Sequence, residues 1–416
     1  MLPHRRRITA AGAVLAAGAF ARVCTAVAAG QTPSASLPLP EVNNAVLTEL
    51  AAQVVLVHDV PGLGIAVATR DGLHAFGVAG VRKAGSTDRL TPEDRFHIGS
   101  CGKVLTAMLL ARLVDEGVLR WDSTVSDVLG GVTMAEGARG VTVAQLLRHR
   151  SGLPSSADAA QLPFLRVGER SPRQARAELA GRVLADASAF PPDGRGRFAY
   201  SNIGYVLAGH VAEVAAGEPF EVLMRQRVFQ PLGMVESGFG PPGAPGEADQ
   251  PRGHNRINVP IEPGPLADNP APLAPAGTMH VSLRDWAAAT AVLLGGGPDG
   301  FLSPAAREAI LTPPPSARGD ADDPPYAFGL VRTETLGRVT YTHAGSNTLW
   351  FARVLLIPSG GTADSASSES GGGPAPSGGW AVLVVTNRGG DAGVRATEEV
   401  LQELLALSRR GGASPR

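Results

Sequence analysis

The spacing of apolar residues at the start of the chain predicts a helix followed by two strands. Between Glu41 and about His58, valines and leucines recur every three to four residues, which is typical of a helix with one buried face. The apolar runs 61–68 and 73–81 are each short enough for a strand, and Arg70-Asp71-Gly72 between them has the composition of a turn. The chain is therefore expected to begin with a helix and a β-hairpin.

Helical spacing dominates the middle of the chain, and strands return near its C-terminal end. Helices are expected at 104–114, 143–147, 175–185, 203–215, 220–228 and 283–294. Strands are expected at 326–332, 338–343, 350–357 and 380–386, followed by a helix at 394–407. We predict an α+β fold, in which an antiparallel sheet with flanking helices is built from both chain ends (41–98 and 321–410) and a mainly helical part (99–320) is inserted.

Three segments lie outside this pattern. Residues 1–28 combine Arg5-Arg6-Arg7 with a short apolar run and an Ala26-Val27-Ala28 cleavage pattern, which predicts an export signal of the twin-arginine type. An ordinary secretory signal is the alternative, because Ser or Thr is missing before the arginine pair. Residues 29–40 are rich in Pro and Ser and are expected to form a linker. Residues 358–379 are rich in Gly and Ser and predict a flexible loop between two neighbouring strands.

Composition narrows the class of protein. The chain has 416 residues, of which 44% are hydrophobic, so it can bury a large core. Its formal net charge of −1 gives no basic surface for nucleic acid. Of its two cysteines, Cys24 lies within the predicted signal, which leaves Cys101 without an intramolecular disulfide partner. The nine histidines show no metal-ligand spacing, and no metal or other cofactor is expected.

The chain contains only two lysines among 37 basic residues, and one of them, Lys103, follows Ser100 by three positions. Where arginine serves almost everywhere, a lysine beside a serine indicates chemistry that needs an amine able to lose its proton. The apolar run that follows predicts a helix beginning near Ser100, so that both side chains share one face. The free N–H groups at such a helix start favour a developing alkoxide. A plain helix N-cap is the alternative role for Ser100.

Tyr200 and Asn202 lie between a loop rich in Gly and Pro and a predicted helix. A phenol can relay a proton, and an amide can bind a substrate carbonyl. We expect a cationic amine near Tyr200 to lower the pKa of that phenol. A structural loop tyrosine beside an Asn helix cap is the alternative.

His343, Gly345 and Ser346 lie at the end of a predicted strand. Gly345 would let a ligand approach the backbone closely. A backbone N–H at this strand edge can face the N–H of Ser100 and form an oxyanion hole with it. For His343, a half-buried strand histidine is the alternative.

The order and setting of Ser100-x-x-Lys103, Tyr200-x-Asn202 and His343-x-Gly345 resemble the serine β-lactamase and penicillin-binding protein superfamily. The likeness is greatest to its class C-like branch of DD-peptidases, esterases and β-lactamases. It covers about residues 41–410 and includes the stretches 114–119, 141–153, 229–234 and 275–279.

This resemblance implies acyl transfer through a covalent serine ester. It leaves open which of Lys103 and Tyr200 is the base, since two interacting groups titrate as a pair. By position, the resemblance assigns these roles: Ser100, Lys103 and Tyr200 for catalysis; the N–H groups of Ser100 and Ser346 for the oxyanion hole; Asn202, His343 and Gly345 for substrate binding.

Position 343 departs from the family pattern, because many members carry lysine there. A histidine is at best partly charged at neutral pH, so its hold on a substrate carboxylate should be weaker. This difference favours a peptidase or esterase over an efficient β-lactamase.

The sequence therefore predicts an exported serine hydrolase that acts on D-amino-acid peptides, β-lactams or carboxylic esters. A penicillin-binding or sensor module that acylates with little or no turnover is the alternative. No Gly-x-Ser-x-Gly segment indicates an α/β-hydrolase. The expected partner is a small-molecule or peptide substrate, without nucleic acid and without a stable membrane span after signal cleavage. The sequence sets neither the acyl substrate nor the oligomeric state.

Overall fold

The computed structural model of the protein describes residues 37–153, 168, 170–191, 194–315, 323–359 and 378–411. The predicted signal at 1–28, most of the predicted linker at 29–40 and most of the predicted loop at 358–379 lie outside these residues. The described strands, in chain order, are β1 (Gly62–Thr69), β2 (Gly72–Gly80), β3 (Phe96–His97), β4 (Gly238–Phe239), β5 (Gly253–His254), β6 (Pro260–Ile261), β7 (Met279–Val281), β8 (Val331–Thr335), β9 (Arg338–Ser346), β10 (Phe351–Ile357) and β11 (Trp380–Thr386).

A six-stranded antiparallel sheet joins the two chain ends, in the order β2-β1-β11-β10-β9-β8. The first and last strands pair directly, with Leu63 opposite Thr386. β10 and β11 are also neighbours, as expected for the strands that flank residues 358–379. The predicted α+β fold with a sheet from both chain ends is confirmed.

Helices cover the sheet and fill the inserted part. The described α-helices are α1 (Asn44–His58), α2 (Lys103–Asp115), α3 (Val125–Val128), α4 (Glu136–Arg139), α5 (Val143–Leu147), α6 (Pro172–Ala185), α7 (Asn202–Ala216), α8 (Phe220–Met224), α9 (Ala274–Gly277), α10 (Leu283–Leu293), α11 (Pro304–Leu311) and α12 (Gly390–Gly411). The first and last described helices, α1 and α12, pack on one face of the sheet through a hydrophobic cluster that includes Leu47, Val382 and Val400. The inserted helices share a larger core with the other face. The helix predicted at 220–228 is divided: a π-helical turn, Arg225–Phe229, follows α8.

One strand prediction needs correction. The strand expected at 326–332 begins only at Val331, because Tyr326 to Leu330 form a turn in which the N–H of Ala327 donates to the carbonyl of Leu330 over 2.8 Å. Gly329, with φ of +85°, brings this turn against the start of α2. The apolar side chains from Tyr326 to Leu330 are buried, although this segment is a turn and not a strand.

A small second sheet lies next to the Ser100 turn. Phe96–His97 does not join the main sheet but pairs with β7 in a small sheet of order β3-β7-β4. This pairing holds the chain immediately before Ser100 against the inserted part. Within the described ranges, no helix combines the length and the apolar character needed to cross a bilayer.

Candidate active site

Ser100 lies in a tight turn between β3 and α2. Residues Gly99–Gly102 form a single 3₁₀ turn that leads directly into α2. The N–H of Ile98 donates to the carbonyl of Met279 over 3.1 Å, which fixes the entry to the turn. No side chain caps the 3₁₀ turn or α2 at its N-terminal end. The structure thus gives no support to a capping role for Ser100, which is half-buried.

Three oxygen atoms surround the amine of Lys103. Nζ lies 3.0 Å from Oγ of Ser100 and 2.8 Å from Oδ1 of Asn202. The carbonyl oxygen of Ala276 is 2.6 Å away. The Lys103 side chain is 0% exposed, and Nζ lies 5.0 Å from the ring centre of Tyr200. The sequence pattern therefore brings the serine, the lysine, the tyrosine and the asparagine into one cluster.

Burial decides the charge of this amine. Desolvation lowers the pKa of Lys103 to about 7, because a buried ammonium loses its hydration. A neutral amine has two N–H donors and one lone pair. The oxygens of Asn202 and Ala276 can accept the two N–H groups, which directs the lone pair toward the Ser100 hydroxyl. Near neutral pH the geometry thus suits removal of the Ser100 proton.

The prediction that a nearby amine lowers the pKa of Tyr200 needs correction. Burial raises the pKa of Tyr200 above its ordinary value, and a hydrogen bond with Ser100 only partly opposes this shift. Desolvation outweighs the hydrogen bond, so the phenol keeps its proton near neutral pH. Tyr200 can donate or relay a proton, but the proton-accepting role fits Lys103 better.

Asn202 begins α7, and its neighbour Ser201 is the N-cap, accepting a hydrogen bond from the N–H of Gly204 over 3.2 Å. Because the Ser201 side chain caps the helix, Asn202 is free of that role. Its Oδ1 faces Lys103, which orients the amide nitrogen away from the amine. This leaves a donor group at the edge of the cluster for a substrate carbonyl.

The end of β9 packs directly against the Ser100 turn. A Cβ on Gly99 would lie 2.4 Å from the backbone nitrogen of Ser346, and a Cβ on Gly345 would lie 2.8 Å from that of Ser100. The two amide nitrogens predicted for the oxyanion hole therefore belong to one junction. Gly99 also has φ of +52°, in the left-handed region that favours glycine.

Gly345 has a different neighbour from the one predicted. A Cβ there would lie 2.0 Å from the carbonyl oxygen of Ile98 and 2.7 Å from the nitrogen of Cys101. The close approach at this glycine is made by the Ser100 turn itself rather than by a ligand. Cys101, the neighbour of Ser100, is buried, and burial raises the pKa of its thiol to about 12. Its side chain fills space between the Ser100 turn and the sheet.

His343 also lies differently from the prediction. Its ring is 1% exposed, with Nε2 3.0 Å from the hydroxyl of Tyr326 and Nδ1 2.7 Å from the carbonyl oxygen of Ala344. Burial and the nearby Lys103 lower the pKa of His343 to about 3. The ring is therefore neutral and lies behind Tyr200, with ring centres 6.2 Å apart. Direct contact with a substrate carboxylate does not fit these surroundings.

His149 is a site residue that sequence reasoning did not single out, although it lies in the stretch 141–153. Its Nδ1 accepts a hydrogen bond from the N–H of Ser201 over 3.0 Å, and its ring centre lies 4.2 Å from that of Tyr200. The backbone at His149 has φ of +55°, which is rare outside glycine. His149 thus holds the Tyr200 segment through a ring contact and a backbone hydrogen bond. Tertiary contacts, not local sequence, give it this role.

Comparison with known proteins agrees with this fold. A family model described as Beta-lactamase matches residues 45–407. The chain therefore belongs to the Beta-lactamase family. The resemblance drawn from its motifs is confirmed.

Individual relatives match parts of the chain. Penicillin-binding protein 4 of Amycolatopsis lactamdurans is 35% identical over 187 residues, 43% of this chain and 45% of the relative. Unguisins hydrolase ungD' of Aspergillus campestris is 27% identical over 321 residues, 73% of this chain and 57% of the relative. The chain thus spans about half the length of these curated relatives.

Solved structures share the fold. The octameric penicillin-binding protein homologue from Pyrococcus abyssi has a TM-score of 0.67 at 23% identity, covering 87% of this chain and 77% of that one. The class C beta lactamase from Rhodobacter sphaeroides has a TM-score of 0.62 at 20% identity, covering 87% and 99%. At these identities the likeness shows the fold alone.

The junction of β9 with the Ser100 turn yields a testable prediction. Gly345→Ala should lower stability by about 1–3 kcal/mol and slow any covalent labelling of Ser100, because the new methyl group must push the two backbones apart. Thermal unfolding and the rate of labelling by a fluorophosphonate would be measured. Gly131→Ala is the control, since a Cβ there meets no atom within 4 Å. Equal behaviour of the two variants would contradict the account.

Proposed function

We propose that this chain is an exported serine hydrolase that forms an acyl-enzyme on Ser100, with D-amino-acid peptides or carboxylic esters as its main substrates. The observation that carries the proposal is the fully buried amine of Lys103, 3.0 Å from Oγ of Ser100. An amine deprived of its charge beside a hydroxyl is the arrangement that nucleophilic catalysis requires. Export is inferred from residues 1–28 and forms part of the same proposal.

Acylation begins when Nζ of Lys103 takes the proton of Ser100. Oγ then attacks the substrate carbonyl carbon, and the carbonyl oxygen becomes an oxyanion. The N–H groups of Ser100 and Ser346 stabilise this oxyanion, and the amide of Asn202 holds a second carbonyl of the substrate. Each oxyanion donor of this kind is worth about 2.7–4 kcal/mol in other enzymes.

Release of the leaving group completes the ester. The bond from the carbonyl carbon to the leaving nitrogen or oxygen breaks, and the leaving atom receives a proton from Tyr200, which Lys103 replenishes. A phenol with a raised pKa suits this step because it holds its proton until the leaving group becomes basic. In deacylation, water gives a proton to the same pair as its oxygen attacks the ester carbon. The bond from that carbon to Oγ then breaks, and the pair returns the proton to Ser100.

The name of one relative supports D-amino-acid substrates. The D-alanyl-D-alanine-carboxypeptidase/endopeptidase AmpH of Escherichia coli is 25% identical over 183 residues, 43% of this chain and 46% of that protein. The D-stereospecific amidohydrolase of a Streptomyces species shares the fold with a TM-score of 0.62 at 23% identity, covering 85% of this chain and 97% of that one. The first name gives D-alanyl-D-alanine as the substrate, and we extend this to the chain as a proposal, whereas the second protein at 23% identity shows a shared fold.

The proposed nucleophile, Ser100, can be tested directly. Wild type should hydrolyse a D-Ala-D-Ala peptide or p-nitrophenyl esters of graded chain length, and a fluorophosphonate should label Ser100. Ser100→Ala should lose both labelling and turnover. Ser188→Ala, at an exposed surface serine, is the control and should behave as wild type. Absence of labelling and turnover in wild type would overturn the proposal, whereas a burst without steady turnover would favour a penicillin-binding or sensor module. A chromogenic cephalosporin belongs in the same panel, with slow hydrolysis expected.

The surroundings of His343 bear on the leaving-group side of the substrate. Many relatives are expected to carry a cationic lysine at this position, but here the ring is buried and both ring nitrogens face protein groups. A neutral, buried side chain cannot balance a terminal carboxylate. We therefore expect substrates without a free carboxylate beside the cleaved bond to be at least as good as those with one.

This expectation is tested with a matched pair of peptides, one ending in D-Ala-D-Ala and the other in its C-terminal amide. The amide should have an equal or higher kcat/KM, and the ratio should change little with salt, because no ion pair is screened. A preference of tenfold or more for the free acid, about 1.4 kcal/mol, would contradict the expectation. A neutral p-nitrophenyl ester normalises for the concentration of active enzyme.

A further inference from the structure

Asp268 has contacts that the proposed mechanism does not use. It follows β6 in a loop, yet its side chain is only 4% exposed. Its Oδ1 accepts a hydrogen bond from the N–H of Asn269 over 2.6 Å. The same oxygen contacts two further residues. Within the described ranges, Oδ2 has no hydrogen-bond partner. A buried carboxylate needs compensation, so its surroundings are informative.

The first contact reaches the Ser100 turn through His97. Nε2 of His97 lies 2.8 Å from Oδ1 of Asp268, and the His97 side chain is 0% exposed. The approach is not well aligned for a hydrogen bond, so it is a close electrostatic contact. On the other side of the ring, Nδ1 accepts a hydrogen bond from the N–H of Gly99 over 3.2 Å. Since Nδ1 accepts, the ring proton lies on Nε2, the nitrogen nearer to Asp268.

The second contact reaches the end of β9 through Asn347. Its Nδ2 donates to Oδ1 of Asp268 over 3.1 Å and also lies 3.2 Å from the carbonyl oxygen of Ala267. Its Oδ1 accepts hydrogen bonds from the N–H groups of Leu349 and Trp350, each over 3.2 Å. Asn347 therefore fixes the turn that follows Ser346, and Asp268 fixes Asn347.

We propose that Asp268 is a positioning residue that sets the distance between the two N–H donors of the oxyanion hole. Its Oδ1 holds His97, which holds the residue before Ser100, and it holds Asn347, which is the residue after Ser346. One oxygen atom thus ties together the two backbone segments that supply the donors. Oxyanion stabilisation requires such distances to be held within about 0.5 Å. A loosened junction should therefore lower the reaction rate even when the protein remains folded.

The inference rests on the proposed function, in which these donors stabilise a transition state. Asp268→Ala should lower kcat/KM for a p-nitrophenyl ester about 10–100-fold, in the range known for residues that orient an active group from behind. The loss should fall on kcat, with KM changed little, because ground-state binding does not use the oxyanion hole. The affinity for an aryl boronic acid, which mimics the tetrahedral intermediate, should fall in parallel.

Two further variants separate positioning from plain stability. Asp268→Asn keeps an oxygen at the Oδ1 position and replaces the unpartnered Oδ2 by NH₂, so it should restore most of the lost rate. In the Asp268→Ala background, adding Asn347→Ala should lower kcat/KM by a smaller factor than it does in wild type, because the contact between the two residues is already lost. Asp285→Ala removes a carboxylate that is also buried, at 2% exposure, and is the control for lost stability. It should leave kcat/KM within about threefold.

Crystal structures of wild type and Asp268→Ala supply a readout that does not need activity. The separation of the Ser100 and Ser346 nitrogens should change by about 0.5 Å or more. An unchanged separation, or an active Asp268→Ala enzyme with normal kcat and normal boronic-acid affinity, would overturn the inference. An inactive wild type whose Ser100 resists labelling would instead overturn the proposed function, and the crystallographic comparison would still decide the role of Asp268.

Discussion

The removal of Lys103 from water is the physical constraint on which the site depends. An ammonium group in water keeps its proton far above neutral pH, and only desolvation brings the pKa of this amine to about 7. The cost of burying it is limited by oxygens from three separate segments, on Ser100, Asn202 and Ala276. An arginine could not replace it, because a guanidinium keeps its charge in a protein. This requirement explains why position 103 is a lysine in a chain that uses arginine at nearly every other basic position.

A second constraint is the closeness of the backbones around Ser100. Gly99 and Gly345 allow β9 to lie against the Ser100 turn, where a side chain on either residue would collide with main-chain atoms. This contact joins the late strand of the sheet to the start of α2 in the inserted part. The fold and the site are therefore not separable, since the same contact closes the core and brings together the two amide nitrogens.

Much of the fold could be predicted because the spacing of apolar residues indicates most of its helices and strands. The alternation of helix and strand signals at the two chain ends was enough to predict a shared sheet, and the start of α2 near Ser100 follows from an uninterrupted apolar run. The run from Tyr326 to Leu330 was misread because a buried turn and a buried strand have the same composition. Only Gly329, which must adopt a left-handed backbone, hinted at the turn.

The identity of the polar residues at the site was predictable, but their electrostatics were not. Spacing indicated that Ser100 and Lys103 share a helix face, whereas the charge of His343 and the pKa of Tyr200 depend on burial, which arises from distant segments. His149 and Asp268 gave no local signal. Their roles come from contacts with residues more than 50 positions away, such as that between His149 and Ser201. For such residues the sequence identifies the side chain, but its role can be inferred only from the contacts that the fold creates.

The most direct test of this account is the titration of Lys103 itself. Because the chain has only two lysines, labelling with ¹³Cε lysine gives two resonances, and Lys83→Arg assigns them. The account predicts that the Lys103 resonance titrates near pH 7, with the neutral amine dominant above that value. A midpoint near 10, the ordinary value for lysine, would show that the amine is charged beside Ser100 and would contradict its role as the base.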